Sequence, residues 1–167
     1  QGFDVFVVEL SSFQLHWMRG IHPHSAAVLN IADDHLDWHG SLEAYVAAKA
    51  KIFENTKVAC VYNKSDRQTE LMVEHAEVLD GARAIGFDLG APGMSDFGVV
   101  DGILCDRAFL DERHATALEI TTLSELRERG LAAPHMVANV LAASALARSF
   151  GAPIEAIAEA LHVFRLD

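Results

Sequence analysis

The chain has 167 residues, of which 51% are hydrophobic and 22% are charged, and its formal net charge at pH 7 is −11. These proportions predict a folded domain with a sizeable core and exclude a globally disordered chain. The acidic charge argues against a nucleic-acid-binding protein, and no apolar run approaches the roughly 20 residues needed for membrane insertion. Both cysteines, Cys60 and Cys105, lie inside apolar runs, so we expect reduced thiols and a cytoplasmic protein.

Strands and helices are predicted to alternate over the first half of the chain. Three short, mostly apolar runs are typical of buried parallel strands, and they cover residues 5–8, 26–31 and 58–62. Each run is followed by a residue that caps helices well. The predicted helices run from Ser11 to about Arg19, from Ser41 to about Asn55, and from Asp66 to about Val78. This order predicts an α/β fold with a mostly parallel sheet and flanking helices.

The second half of the chain has a different pattern. Residues 81–122 combine short apolar runs with turns such as Asp101-Gly102, so we expect a small antiparallel insert or edge sheet there. Two further helices are predicted, because proline favours a helix start and glycine a helix end. Their bounds are Pro134 to about Phe150 and Pro153 to about Phe164, with Gly151 between them.

One lysine stands among apolar residues of the second predicted helix. Residues three or four positions apart share a helix face. At those distances from Lys49 lie the apolar residues Tyr45, Val46, Ile52 and Phe53. An amine in that place must extend to solvent, find a partner or lose its charge. Two interpretations follow, a side chain that reaches solvent at a domain edge or a functional lysine that points into a site.

Acidic and imidazole side chains follow the second predicted strand directly. In open parallel sheets, ligands bind beyond the carboxyl ends of the strands. The residues in question are Asp33, Asp34, His35, Asp37 and His39. Such side chains can ligate a metal ion or transfer protons, whereas the alternative is a solvated acidic loop that caps the next helix.

Glu9 ends the first predicted strand and is followed by the hydroxyls of Ser11 and Ser12. A carboxylate in that place can bind a hard cation, or it can simply mark where the sheet meets water. Glu9, the acidic segment and Lys49 fall in successive strand–helix units. The fold would therefore bring them to one edge of the sheet, and this coincidence favours a site.

Four segments resemble motifs of the Mur ligase family. Residues 9–15, Glu-Leu-Ser-Ser-Phe-Gln-Leu, are similar to the signature of the family members that add D-glutamate to UDP-N-acetylmuramoyl-L-alanine (the MurD type). Residues 30–37 resemble Asn-x-x-x-Asp-His-x-Asp, and residues 45–49 resemble Tyr-x-x-Ala-Lys. Residues 135–139, with the alanine-rich helix after them, resemble a His-Asn-x-x-Asn segment. The order and the approximate spacing of these four segments agree with those of the family's motifs across residues 4–165.

The resemblance implies part of the central, ATP-binding domain of a three-domain ligase of peptidoglycan precursor synthesis. Its substrates would be ATP, D-glutamate and UDP-N-acetylmuramoyl-L-alanine, joined through an acyl phosphate with the help of two Mg²⁺ ions. The sequence contains no G-x-x-x-x-G-K-[ST] phosphate-binding motif and resembles neither the N-terminal nor the C-terminal domain. We therefore expect a piece of a longer enzyme that is inactive by itself.

The resemblance also implies the catalytic residues Glu9, His35 and Lys49. Glu9 and His35 would be magnesium ligands. Lys49 would be carbamylated, which turns a buried cation into an anionic oxygen ligand for the metal.

Binding residues are implied in the same way. Ser11, Gln14 and Asn30 would contact the substrate, and Asn139 would contact the nucleotide. The family's asparagine directly after His135 is Met136 here, so a hydrogen bond from that position to the nucleotide is not expected.

Other functions are compatible with the same residues. One is a different Mur-type or folylpolyglutamate-type ligase, since the second and third motifs are shared within the superfamily. Another is a metal-dependent phosphohydrolase that uses the acidic segment. Amino-acid-dependent release of ADP and phosphate would distinguish a ligase from a hydrolase.

Overall fold

A computed structural model describes residues 2, 4–32, 34 and 36–165. Within these residues the strands form one six-stranded sheet, and they lie side by side in chain order. The strands are β1 (Ser25–Val28), β2 (Ala59–Asn63), β3 (Arg83–Phe87), β4 (Asp96–Val100), β5 (Ile103–Asp106) and β6 (Leu118–Thr122). Strands β1 to β4 are parallel, and β5 pairs antiparallel with both β4 and β6. The predicted α/β class with a small antiparallel edge is confirmed.

Helices flank this sheet. They are α1 (Ser12–Trp17), α2 (Leu36–His39), α3 (Leu42–Ala50), α4 (Arg67–Glu74), α5 (Leu123–Glu128), α6 (Pro134–Ser149) and α7 (Ile154–Val163). A 3-10 turn, Lys51–Phe53, continues α3. The caps predicted for α1, α3 and α4 are confirmed, since the side chains of Ser11, Ser41 and Asp66 accept backbone hydrogen bonds there. None of the helices in the described ranges has the length and apolar character needed to cross a membrane.

The sheet is covered on both faces, and β2 shows how. Successive residues of a strand point to opposite faces. Ala59 and Val61 are fully buried in the larger core cluster with the apolar side of α6. Cys60, between them, packs with Phe53 and with Met72 of α4 on the other face. The α3 and α4 side and the α6 side therefore form the outer layers of an α/β/α sandwich.

Local signals placed several boundaries correctly. Asp101 and Gly102 have φ angles of 49° and 80°, the left-handed values that a two-residue hairpin turn requires between β4 and β5. Pro134 begins α6, and Gly151 follows that helix with a φ angle of 95°. Pro153 caps α7. The predicted hairpin and the two C-terminal helices are thus confirmed.

The prediction of a buried strand over residues 5–8 is wrong. Residues 5–10 form no strand, and the side chain of Val7 is 93% exposed. A strand satisfies its backbone groups only by pairing with a neighbour. Within the part of the chain that the structure describes, no strand lies beside this run, so its apolar composition alone does not place it in the sheet.

The prediction of an antiparallel insert over residues 81–122 is wrong in its first part. Strand β3 continues the parallel sheet, with Ile85 opposite Val61 of β2, and β4 is still parallel to β3. The glycine-rich composition concealed this strand. Gly86 leaves room for the Asp96 side chain, since a Cβ atom there would lie 2.6 Å from Oδ1 of Asp96 and would force that side chain to move. The antiparallel part begins only at the β4–β5 hairpin.

Helix α4 is shorter than predicted. It ends at Glu74 rather than near Val78. Beyond the helix, the backbone N–H of Leu79 donates to the carbonyl oxygen of Thr56, and Glu77 accepts from the N–H of Asn55. These bonds to a neighbouring loop replace the helical ones, so the chain leaves the helix early.

Candidate functional site

The carboxyl ends of β1 and β2 form a polar edge tied together by side chains. The Asn63 side-chain amide donates to the carbonyl oxygen of Leu29 over 2.9 Å. The Asp66 carboxylate accepts from the backbone N–H of Ile31 over 2.6 Å while it caps α4. Asn30 lies between these two anchors with its side chain exposed. This edge therefore presents Asn30 to solvent on a fixed backbone, as a ligand contact would require.

Ser11 and Gln14 contact each other at the start of α1. Backbone N–H groups and side chains form a reciprocal capping box, in which Ser11 N–H donates to Gln14 Oε1 over 2.8 Å. Glu9 is exposed two residues before this box. The arrangement accounts for Ser11 and Gln14 locally, and their contact with a substrate stays a prediction.

Aromatic and histidine rings join α1, α2 and α3. Ser12 is buried, and its Oγ shares a 3.0 Å hydrogen bond with Nε2 of His39 at the end of α2. Phe13 stacks on His39 with ring centroids 5.7 Å apart, and Trp38 meets Phe13 edge-on at 4.8 Å. An open pocket of about 430 Å³ lies beside these rings, lined by His16 and by alanines of α3.

Tyr45 connects the acidic segment to Lys49. Its side chain is buried, at 6% exposure, and Nζ of Lys49 lies 5.6 Å from the centre of its ring, one helical turn further on. Burial, and second the charge of Asp34, raise the pKa of the Tyr45 hydroxyl. Lys49 is half-buried, so the expected place among apolar residues is confirmed, whereas its function is not tested.

The predicted nucleotide contact lies on the other face of the sheet. Asn139 is exposed in the second turn of α6, and His135 is exposed in the first turn. Met136 packs against the larger core cluster. Met136, which departs from the family pattern, thus contributes to core packing, while Asn139 is accessible to a ligand.

The predicted magnesium ligands do not form a complete site among the described residues. Asp33 and His35 lie outside those residues. In the remainder that the structure describes, no group of three or more histidine, cysteine, aspartate or glutamate side chains could hold a metal ion. Glu9 is exposed and Lys49 rests on Tyr45. Glu9 and Lys49, the two predicted ligands that the structure describes, do not complete a magnesium site by themselves, and we derive no reaction step through the ion.

Two of the ion pairs among the described residues join distant parts of the chain, and they were not predicted from the sequence. Asp106 is fully buried, and its carboxylate accepts from Nε of Arg148 over 2.8 Å. Lys64 donates to Asp96 over 2.6 Å, and this hydrogen bond raises the pKa of the lysine. Both pairs join residues more than 30 positions apart, so no local spacing could have indicated them.

The sequence matches one family model over most of its length. Residues 1–147 match the model of the Mur ligase middle domain. The chain belongs to the Mur ligase family. Among curated relatives, this Mur ligase domain is 66% identical to the UDP-N-acetylmuramoylalanine--D-glutamate ligase of Leifsonia xyli over 100% of the chain. It is 54% identical to the enzyme of the same name from Streptomyces avermitilis over 99% of the chain, and 47% identical to that of Tropheryma whipplei over 100%.

The chain spans about a third of the length of these relatives, with shares of 33%, 35% and 36%. A solved structure of a UDP-N-acetylmuramoyl-L-alanyl-D-glutamate--2,6-diaminopimelate ligase superposes with a TM-score of 0.68. The superposition covers 95% of this chain and 32% of that one, at 22% sequence identity. At this identity the likeness supports the Mur ligase fold alone.

Proposed function

We propose that the polypeptide containing this Mur ligase domain is a cytoplasmic, ATP-dependent ligase that adds D-glutamate to UDP-N-acetylmuramoyl-L-alanine. The observation that carries the proposal is the half-buried position of the Lys49 amine over the ring of Tyr45, within the segment that resembles the family's Tyr-x-x-Ala-Lys motif. The name shared by the relatives supports the choice of substrates.

The chemistry would proceed in two transfers. The substrate carboxylate attacks the γ-phosphorus of ATP, so that an acyl phosphate forms and ADP leaves. The amine of D-glutamate then attacks the acyl carbon, an amide forms, and phosphate leaves with the C–O bond electrons. Both steps bring anionic groups together, so the protein must orient them and balance their charge.

Each site residue has a proposed task. Glu9, His35 and Lys49 as a carbamate would hold Mg²⁺, which neutralises phosphate charge when it is bound. The exposed Glu9 carboxylate and the half-buried Lys49 amine support this proposal, although the described residues alone do not complete the site.

Substrate and nucleotide would meet different elements. Asn30, Ser11 and Gln14 would orient the UDP-sugar substrate at the ends of β1 and α1. Asn139 would contact the nucleotide from α6. The exposure of all four side chains supports these tasks.

The proposal is tested with the full-length polypeptide, Mg·ATP and UDP-N-acetylmuramoyl-L-alanine. We expect ADP and phosphate release only when D-glutamate is present, and a product mass increased by one glutamate residue. Phosphate release without an amino acid would indicate a hydrolase and contradict the proposal. Activity with another amino acid instead of D-glutamate would indicate a different ligase of the family.

The 167-residue chain serves as a matched control. Its sequence lacks the G-x-x-x-x-G-K-[ST] motif that cradles phosphates, so we expect neither turnover nor tight nucleotide binding. Calorimetric titration with Mg·ATP checks this, and a dissociation constant near 1 μM, about −8 kcal/mol, would show that the domain binds nucleotide without that motif.

A further inference from the structure

A continuous line of side-chain contacts leads from α1 to Lys49. Ser12 Oγ shares a 3.0 Å hydrogen bond with Nε2 of His39, across 27 positions of sequence. The His39 ring meets the Tyr45 ring nearly edge-on, with centroids 5.4 Å apart and planes at 70°. Nζ of Lys49 lies 5.6 Å from the centre of the Tyr45 ring. We call the contacts of these four residues the α1–α3 relay.

The relay is buried at its fixed end and accessible at its lysine end. Ser12 is 5% exposed and Tyr45 is 6% exposed, whereas Lys49 is half-buried. The orientation of a buried ring depends on the side chains packed around it, because interiors are close-packed. A lysine has four rotatable side-chain bonds, so its amine can take many positions unless a contact restricts it. The Tyr45 ring supplies such a contact, because an aromatic face attracts a cation.

His39 occupies the decisive place in the relay. In the sequence it is the last member of the acidic segment, and a local capping role is the simpler interpretation. The contacts recorded for its ring nevertheless reach two other helices, to Ser12 of α1 and Tyr45 of α3. The hydrogen bond to Ser12 and the stacking on Phe13 hold the His39 ring against α1, and the edge contact packs this ring against that of Tyr45.

We propose that His39 is a positioning residue for Lys49, because its hydrogen bond to Ser12 and its ring contact hold the Tyr45 surface on which the amine rests. The consequence for activity rests on the function proposed above. The effect on the place of the Lys49 amine does not depend on that function.

The direct test is an NMR measurement on the 167-residue chain. The sequence contains four lysines, Lys49, Lys51, Lys57 and Lys64, so ¹³C-lysine labelling gives an assignable spectrum. Protons over an aromatic face are shielded, so the ε-methylene signal of Lys49 should lie upfield of that of the exposed Lys57. Tyr45→Leu removes the ring and should abolish this upfield shift, so this variant gives the Lys49 chemical shift expected without shielding by the ring.

In His39→Ala the Lys49 signal should lose most of its upfield shift. The amide spectrum of this variant should still be that of a folded chain. His75→Ala is the matched control, since it removes an exposed imidazole at the end of α4, and it should leave the Lys49 signal unchanged. An unchanged Lys49 signal in His39→Ala would overturn the proposal. If His39→Ala does not fold, His39→Leu decides in the same way, because it removes both the hydrogen bond to Ser12 and the aromatic ring while it keeps an apolar side chain at that position.

Activity of the full-length ligase separates this proposal from the proposed function. We expect His39→Ala to lower kcat by roughly tenfold or more with an unchanged KM for ATP, on the scale of a misplaced catalytic group. His39→Phe, which keeps a ring against Tyr45, should recover part of kcat. A lost NMR shift with an unchanged kcat would uphold the positioning by His39 and contradict a catalytic task for Lys49.

Discussion

Arg148 and Lys49 are two cations near the ends of helices, and the structure holds them in opposite ways. All three guanidinium nitrogens of Arg148 donate hydrogen bonds, to Asp106 (2.8 Å) and to the carbonyl oxygens of Phe109 (2.6 Å) and Ala152 (2.8 Å). Its side chain is 14% exposed, and that of Asp106 is 0% exposed. Lys49 rests instead on the face of the Tyr45 ring.

The difference separates a structural charge from a chemically available one. The Asp106 carboxylate also accepts from the backbone N–H groups of Ala108 and Phe109, so the ion pair connects β5, the loop after it and α6. A charge satisfied from so many directions fixes the fold and has no capacity left for a ligand. A ring face restricts a lysine without occupying the hydrogen-bond donors of its amine, so these donors stay available to another group.

The largest expected effect on stability comes from Arg148→Met. The change leaves the Asp106 carboxylate buried without its counter-charge, so we expect a loss of about 3–5 kcal/mol in the free energy of unfolding. Urea denaturation of the 167-residue chain checks this. Arg67→Met is the control, because Arg67 pairs with Glu70 and Glu74 at the surface, and it should cause a far smaller change. Equal losses in the two variants would remove the distinction between Arg148 and a surface cation.

His35→Ala should affect activity without affecting stability. If His35 is a ligand at the site, its loss should lower the turnover of the full-length ligase by roughly 10²-fold, the scale of a lost electrostatic stabiliser. The melting temperature should stay within the range of a control variant, His75→Ala, whose histidine is exposed at the end of α4. A near-normal rate would favour the interpretation of the acidic segment as a solvated loop.

A smaller effect is expected from Lys64. This lysine is intermediate between Arg148 and Lys49, because it forms an ion pair with Asp96 but its side chain is 34% exposed. The hydrogen bond to Asp96 raises the pKa of Lys64 above its ordinary value of 10.5. The folded state therefore binds this proton more tightly than the unfolded state. The resulting stabilisation is complete below the unfolded pKa and is lost as the pH rises through the folded pKa.

Urea denaturation at about pH 9 and about pH 11 measures this contribution. The free energy of unfolding should fall more between these conditions in the unmodified chain than in Lys64→Met, which has no amine to titrate. Equal decreases would mean that the Lys64–Asp96 pair contributes nothing to alkaline stability.

The fold was predictable where short-range chemistry decides it. Proline, glycine and capping side chains fixed α6, α7 and the hairpin at Asp101-Gly102, because their backbone preferences act over a few residues. The capping box of Thr122 and Glu125 at α5 has a spacing that could have revealed this helix as well. The failures, at residues 5–8 and in β3, concern which strands become neighbours. That choice depends on pairing across the whole sheet.

The site was predictable in its residue types and not in its contacts. Helical spacing alone placed Lys49 near Tyr45. Nothing local indicated that Ser12 and His39 meet across 27 positions, or Asp106 and Arg148 across 42. Such contacts follow from how the helices pack on the sheet, which a single sequence does not display.

The most direct test of the central claim, that Lys49 is held for chemistry and Arg148 for the fold, is chemical rescue of Lys49→Ala in the full-length ligase. The account predicts that this variant loses activity, keeps the unfolding midpoint of the unmodified enzyme, and regains part of its rate when acetate is added, because acetate can replace the carbamate proposed for Lys49 as an anionic oxygen ligand. Unchanged activity in Lys49→Ala, or a lost rate accompanied by a lowered unfolding midpoint and no rescue by acetate, would contradict it.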